Sequence, residues 1–284
     1  MIFYKTVTCG NDFIHVETDE YQSGIPVIKK EKLVQCLCSR HSGAGADGVI
    51  FYKIGPNTQK IHFEIFNRDG SEAELSGNGM AGLSALFFYL DKANGRHVVL
   101  DTKAGLKKHT LLHHDKNKFH LKIEISTADF QNRDFFPFLK KDQANYHYKG
   151  VTFYPVSVGN PHVVILLEGD FPGEKLEQTG KMFAAADIFP FKTNVELVLP
   201  IKPGVMKDWE GDNFRVFYYE RGVGPTHSSS TGSAAVFAVL QKLDLIKETL
   251  IIPFGDEKIK ISGKNEIYIE NYTEIVYKGI YFSA

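Results

Sequence analysis

The sequence predicts an α+β protein built from two duplicated halves, and three observations carry that reading. Short β-rich runs outnumber helical patterns and are joined by turn residues rather than by a regular strand–helix–strand alternation. At 284 residues the chain exceeds a typical single domain, so two cores suit it better than one. Two stretches also share one layout. Ile65-Phe66-Asn67-Arg68-Asp69-Gly70 runs on to Ser76-Gly77-Asn78-Gly79, and Tyr218-Tyr219-Glu220-Arg221-Gly222 runs on to Ser229-Ser230-Thr231-Gly232. Ser76 follows Asn67 by nine positions, and Ser229 follows Glu220 by nine. Each copy reads as a strand end carrying a polar residue and an Arg, then a Ser that opens a Gly-containing turn into an apolar helix.

In chain order, strands are expected at Ile2–Thr6, Gly48–Ile54, His62–Phe66, His97–Asp101, His109–His113 and Phe119–Ile125 in the first half. Asp115-Lys116-Asn117-Lys118 reads as the turn of a hairpin between the last two. The second half supplies Val151–Val158, His162–Leu167, Val195–Val198, Phe214–Tyr219, Ile259–Ile261, Glu266–Ile269 and Ile275–Phe282. Helical periodicity marks Lys30–Ser39, Gly79–Ala93, Glu174–Phe183 and Ser233–Lys247. A second echo supports the duplication: Gly10-Asn11-Asp12-Phe13 is matched by Gly159-Asn160-Pro161-His162. The boundary is placed in the polar stretch Gln131–Tyr148, giving domains 1–130 and 131–272, with the last strand, about 273–284, returning to the first.

Composition narrows the function. Lys and Arg total 33 against 34 Asp and Glu, with no basic block, so nothing points to nucleic acid. No run approaches a membrane span, and Met1-Ile2-Phe3-Tyr4-Lys5 lacks a signal-peptide pattern, so a cytoplasmic location is expected. Cys9, Cys36 and Cys38 are an odd number without a disulfide framework and without metal-ligand spacing, so no metal is expected. Two catalytic patterns fail on context. Gly77-x-Gly79-x-x-Gly82 fits a dinucleotide fingerprint, but the preceding strand ends near Phe66, too early for one. Neither Ser76, with Glu74 two residues before it, nor Ser229, with His227, stands in the Gly-x-Ser-x-Gly elbow of a serine hydrolase.

Eight motifs in one order then carry a resemblance. They are Gly10-Asn11-Asp12-Phe13, Gly45-Ala46-Asp47-Gly48, Phe66 to Glu74, Gly77-Asn78-Gly79, Gly159-Asn160-Pro161-His162, Thr193-Asn194-Val195-Glu196, Tyr219-Glu220-Arg221-Gly222 and Thr231-Gly232. Along nearly its whole length the chain resembles the diaminopimelate epimerase family. The resemblance implies two pseudo-symmetric domains, each a β-barrel around a central helix. It implies a cofactor-independent isomerase that inverts an amino-acid Cα, taking LL- to meso-diaminopimelate in lysine and cell-wall biosynthesis. In that family a cysteine opens each central helix, one removing the α-proton and the other returning one. Here both positions are serine, Ser76 and Ser229. Ala81 and Pro225 stand where the family usually has Arg and Glu.

The substitution matters chemically. A thiol titrates near 8.5 and an alcohol close to water's 15.7, a gap of about 7 pK units or ~10 kcal/mol. A helix N-terminus stabilises an anion by only about 0.3 to 2 kcal/mol. The two serines are therefore read both as N-caps and as the positions of the catalytic pair, with His227 and His162 as candidate bases.

By resemblance, Asn67, Asn194, Glu220 and Arg221 hold the far ammonium and carboxylate of a diamino-diacid. Gly77-Asn78 and Ser230-Thr231 hold the reacting carboxylate at two helix N-termini, and Asn11 and Asn160 complete the pocket. The implied partner is a small zwitterionic amino acid, with diaminopimelate the compound the family names and a homodimer left open. Two alternatives stand beside the epimerase: a non-catalytic amino-acid-binding protein, and a diverged lyase or isomerase on another amino acid.

Overall fold

In the computed structural model of the chain, residues 1–18, 27–54, 60–73, 75–102, 105–168, 171–200 and 214–282 are described. Glu74 of the third motif falls outside them. The chain forms two compact units, Met1–Glu124 with Glu270–Ala284, and Ile125–Ile269. Its strands are β1 (Ile2–Thr8), β2 (Asn11–Glu17), β3 (Gly48–Ile54), β4 (Ile61–Asn67), β5 (Glu72–Ala73), β6 (His97–Thr102), β7 (Gly105–Asp115), β8 (Lys118–Thr127) and β9 (Tyr146–Tyr148). They continue with β10 (Val151–Ser157), β11 (Pro161–Leu166), β12 (Asn194–Pro200), β13 (Phe214–Glu220), β14 (Gly224–Thr226), β15 (Thr249–Phe254), β16 (Glu257–Gly263) and β17 (Glu266–Ile280). The helices are α1 (Val27–Cys38), α2 (Gly77–Tyr89), α3 (Gly173–Ala184) and α4 (Ser230–Lys242).

In the first unit, β1, β2, β3, β4, β6, β7, β8 and β17 follow one another as neighbours, and β17 pairs back onto β1. This closes an eight-stranded barrel and leaves it no free edge. Helix α2 packs against β1, β2, β3, β6 and β7, and Gly77 to Phe87 are all buried. A helix apolar on every side needs such an all-round enclosure. Glycine makes the fit possible, because a Cβ at Gly82 would lie 2.3 Å from Thr6 Oγ1 and 2.8 Å from His15 Nε2.

The second unit repeats the plan. Strands β9 to β14 form a six-stranded sheet, and α4, buried from Ser230 to Leu240, packs against β10, β11, β12, β15 and β16. The pairing sequence is the same in both units. It runs antiparallel, parallel, antiparallel, antiparallel through β1 to β5 and again through β10 to β14. The parallel pairs β2–β3 and β11–β12 are bridged by α1 and α3, and the parallel pair β4–β6 by a connection that contains α2, as a crossover requires.

The helix ends match as well. Both central helices stop three residues or more short of their predicted ends, because Asp91 and Asp244 each adopt a left-handed φ of 55° just past the C-cap. Strands β2, β5, β9, β14 and β15 were not expected from the sequence, and two expected runs proved to be a single strand. Strand β2 went unseen because Asp12 to Val16 are buried on both faces, which erases the alternation that marks a strand. The predicted runs Glu266–Ile269 and Ile275–Phe282 are one strand, since Asn271 and Thr273 point inward at 1% and 0% exposure and their polarity masks the period. Thr273 Oγ1 is satisfied there by Thr8 Oγ1 at 2.8 Å. Among the described residues no helix is long and apolar enough to cross a membrane.

Candidate active site

In the first unit the site residues meet at the N-terminal end of α2. Ser76 is the N-cap, with φ −140° and ψ 110°, and its Oγ accepts the Gly79 N–H at 3.2 Å. The backbone carbonyl of Asn78 accepts Thr8 Oγ1 at 3.3 Å, tying the end of β1 to the first turn of α2. Asn11 opens β2, and its amide Nδ2 donates to Asp47 Oδ2 at 3.0 Å. Asp47 also accepts the Asp12 N–H at 3.2 Å and Arg40 at 2.8 Å, while its carbonyl takes the Arg68 N–H at 3.0 Å. Asp47 thus joins the strand of Asn11 to the residue after Asn67. Asn67 closes β4 and donates to Ser71 Oγ at 3.1 Å.

Asp12 anchors this end of the barrel. Burial pushes its carboxyl upward, but hydrogen bonds from Arg40 and Lys5 and the Asp47 contact outweigh it and hold it down at about 2. The guanidinium of Arg40 forks onto Asp12 at 3.1 and 2.8 Å, and Lys5 Nζ lies 2.8 Å from Asp12.

The second unit places its residues around the start of α4. Ser229 is the N-cap, with φ −140° and ψ 122°, and its Oγ accepts the Gly232 N–H at 3.2 Å. The two serines thus have the same backbone conformation and the same bond. Ser230 and Thr231 form the first turn and are buried. Asn194 Oδ1 accepts the Arg221 N–H at 3.1 Å and its Nδ2 donates to the Pro161 carbonyl at 3.1 Å, so it stitches three segments together. Glu220 Oε1 accepts Thr226 Oγ1 at 2.8 Å, and Arg221 Nη1 donates to the Phe191 carbonyl at 3.0 Å. His227 is exposed and makes no hydrogen bond or ion pair among the described residues, whereas Ser229 is 5% exposed.

Beneath α4, the candidate base His162 and the pocket residue Asn160 are joined by Glu196, to which the sequence reading gave no role. His162 Nδ1 meets Glu196 Oε1 at 2.8 Å, and His162 Nε2 meets Asn160 Oδ1 at 2.9 Å. His162 and Glu196 are fully buried and Asn160 is nearly so. The available signal was a lone carboxylate in the apolar run Val195–Val198, inside a motif already noted. Cys9, Cys36 and Cys38 are free thiols, and Cys38 is pushed up to about 12 by burial and by the nearby Asp47 and Asp12 carboxylates.

A duplicated strand order with matching serine-capped helices is the frame in which the comparisons fall. A family model described as diaminopimelate epimerase matches residues 3–129 and 154–279. The chain is 30% identical over 296 residues to the diaminopimelate epimerase of Methanothermobacter thermautotrophicus, covering 99% of this chain and 98% of that protein. It is 33% identical over 285 residues to that of Synechococcus elongatus, covering 98% and 96%. Among solved structures, a predicted epimerase from Pseudomonas aeruginosa superposes with a TM-score of 0.69 at 13% identity, covering 100% of this chain and 99% of that one. A hydroxyproline epimerase from Agrobacterium vitis with bound trans-4-hydroxy-L-proline gives 0.64 at 13% identity, covering 99% and 91%. The family model and these relatives place the chain among isomerases of the epimerase type. The chain belongs to the diaminopimelate epimerase family.

Proposed function

We propose that this chain is a cofactor-independent amino-acid isomerase of the diaminopimelate epimerase type, taking a small zwitterionic amino acid of the diaminopimelate class, with serines in place of the thiol pair. The observation that supports it is the match of the two helix starts: equal cap conformations, equal cap bonds of 3.2 Å, and buried first turns at Gly77-Asn78 and Ser230-Thr231. A helix N-terminal turn concentrates backbone N–H groups and positive potential, which suits a carboxylate and the charge that develops on it when the α-proton leaves.

Proton transfer is the weak step. Neither serine can rest as its conjugate base near neutral pH, because an alkoxide lies about 7 pK units above a thiolate. Both hydroxyls also accept a cap bond, which occupies one lone pair of each. Those caps favour a second reading, a non-catalytic amino-acid-binding protein of the same fold. In either case turnover by two thiols is absent.

The test is α-proton exchange in D2O, followed by NMR with diaminopimelate isomers and a panel of common amino acids. The wild-type chain is compared with a Ser76→Cys, Ser229→Cys double variant. The double variant is expected to exchange diaminopimelate about 10²- to 10⁴-fold faster, the range a positioned acid–base group supplies. Binding without exchange in the wild type supports the non-catalytic reading. A double variant that neither binds nor exchanges diaminopimelate refutes this substrate class.

A further inference from the structure

The second unit carries a concave site that the candidate active site does not use. At the C-terminal end of α4 lies a groove of about 810 Å³, a size at which pockets hold small molecules. Its lining residues all fall between Thr127 and Ile267, so the groove belongs wholly to the second unit. Ser229 caps the opposite end of this 13-residue helix, roughly 20 Å away at about 1.5 Å of rise per residue. An occupant of the groove therefore touches none of the residues at the helix start.

The walls are tied together. Gln241, in the last turn of α4, donates through Nε2 to the Lys247 carbonyl at 2.6 Å and to the Gly263 carbonyl at 3.1 Å. One side chain so fixes the helix end, the segment after it and the turn between β16 and β17. On the remaining side Lys242 Nζ lies 4.2 Å from the centroid of the Phe130 ring, and the neighbouring Asp129 exchanges two backbone hydrogen bonds with Ser157 at 2.8 and 2.9 Å. The floor is apolar, formed by the buried Ala238, Ile246 and Ile267.

The rim is cationic. Lys242, Lys247 and Lys264 line the groove against the single carboxylate of Asp244, in a chain whose net charge is −1. Among the described residues none of the three lysines has a carboxylate partner. Lys242 complements the negative end of the α4 dipole, and that accounts for one of them. Lys247 and Lys264 stand outside the helix, where the dipole gives no reason for them. Ammonium groups above an apolar floor suit an anion with an apolar body. No arginine lines the groove, so the planar fork that matches a carboxylate is missing, whereas ammonium point charges serve a phosphate.

We propose that this groove binds a small phosphorylated organic molecule, its phosphate against Lys247 and Lys264 and its apolar part on Ala238, Ile246 and Ile267. The site is separate from the one that takes the amino acid, and its occupancy does not depend on turnover there.

The probe is phenyl phosphate, titrated into the full chain at physiological ionic strength and followed by amide NMR. Saturable shifts are expected at the groove residues, with binding about 10-fold tighter than that of inorganic phosphate because the ring is buried. Benzoate, which has the ring without the phosphate, should bind more weakly than phenyl phosphate. Lys247→Gln and Lys264→Gln should each weaken phenyl phosphate binding about 3- to 10-fold and leave the thermal midpoint of the ligand-free chain unchanged. Lys141→Gln removes an exposed lysine of the same unit that does not line the groove, and it should change nothing. Equal weakening by Lys141→Gln, or no preference for phenyl phosphate over inorganic phosphate and benzoate, overturns the proposal. Binding of an RNA oligomer without any shift by phenyl phosphate also overturns it, and assigns the lysines to a polyanionic surface.

Discussion

A methyl group at position 232 would settle how firmly the buried pair is held. Alanine there gains about 1 kcal/mol of helix propensity over glycine, while forcing a group into a packed interior costs about 1–3 kcal/mol. The contact decides which effect wins, since the new Cβ would sit 2.6 Å from Glu196 Oε1, which is fixed by its 2.8 Å bond to His162. Gly232→Ala is therefore expected to lose about 1–2 kcal/mol in urea denaturation. Gly79→Ala meets the terminal methyl of Ile50 at 3.0 Å and the Phe13 ring at 3.2 Å, of which the methyl can give way, and should be nearly neutral. Equal losses at both positions would contradict the asymmetry. The glycines themselves were legible in the sequence as parts of motifs. What lay under them was not, because the pairing of His162 with Glu196 depends on a register between strands 34 residues apart.

The same contrast between local and distant information holds for whole elements. Helix starts could be read because Ser before an apolar run is a local signal, and both serines do cap their helices. Replacing Ser76 or Ser229 with Ala should each cost about 0.5–2 kcal/mol in thermal or chemical denaturation. An unchanged midpoint would mean that the cap bonds contribute nothing. Strand β2 was hidden because its burial comes from α2 on one side and, on the other, from the cluster in which Ile14 and Val16 join Val34, Leu37 and Cys38 of α1, which no single-strand pattern records. Its first residues depend on a charge cluster. Asp12, at 8% side-chain exposure, holds Lys5 at 12% and the more exposed Arg40, so Asp12→Ala would leave a nearly buried ammonium without its carboxylate. A loss of about 3–5 kcal/mol is expected by chemical denaturation. A loss below about 1 kcal/mol would show that the cluster behaves as an ordinary surface pair.

For the folding equilibrium of the molecule the decisive residues are two histidines that carry no site role. His15 and His109 are fully buried; Thr6 Oγ1 meets one at 2.8 Å and Ser84 Oγ the other at 2.8 Å, and each has one ring nitrogen without a hydrogen-bond partner among the described residues. Burial pushes both down to about 3 from 6.5, helped at His109 by the charge of Lys107. The folded chain keeps both rings neutral in a range where the unfolded chain protonates them. Between about pH 6.5 and 3 the unfolded state binds more protons, so stability rises with pH across that window and is complete above it. Asp12 acts in the same direction lower down: its stabilisation is present above 3.8 and is lost as pH falls toward about 2. Each histidine contributes a slope of up to about 1.4 kcal/mol per pH unit below 6.5, or about 2 kcal/mol by pH 5. Urea midpoints measured at pH 7 and pH 5 should therefore fall steeply in the wild-type chain. A His109→Gln variant keeps a polar group beside Ser84 but cannot titrate, and it should lose close to half of that fall even if its stability at pH 7 is lower. The relevant quantity is the difference between the two pH values, which cancels the packing cost of the substitution. A wild-type fall matched in full by the variant would mean that His109 is already charged in the folded barrel, against the apolar enclosure that surrounds it.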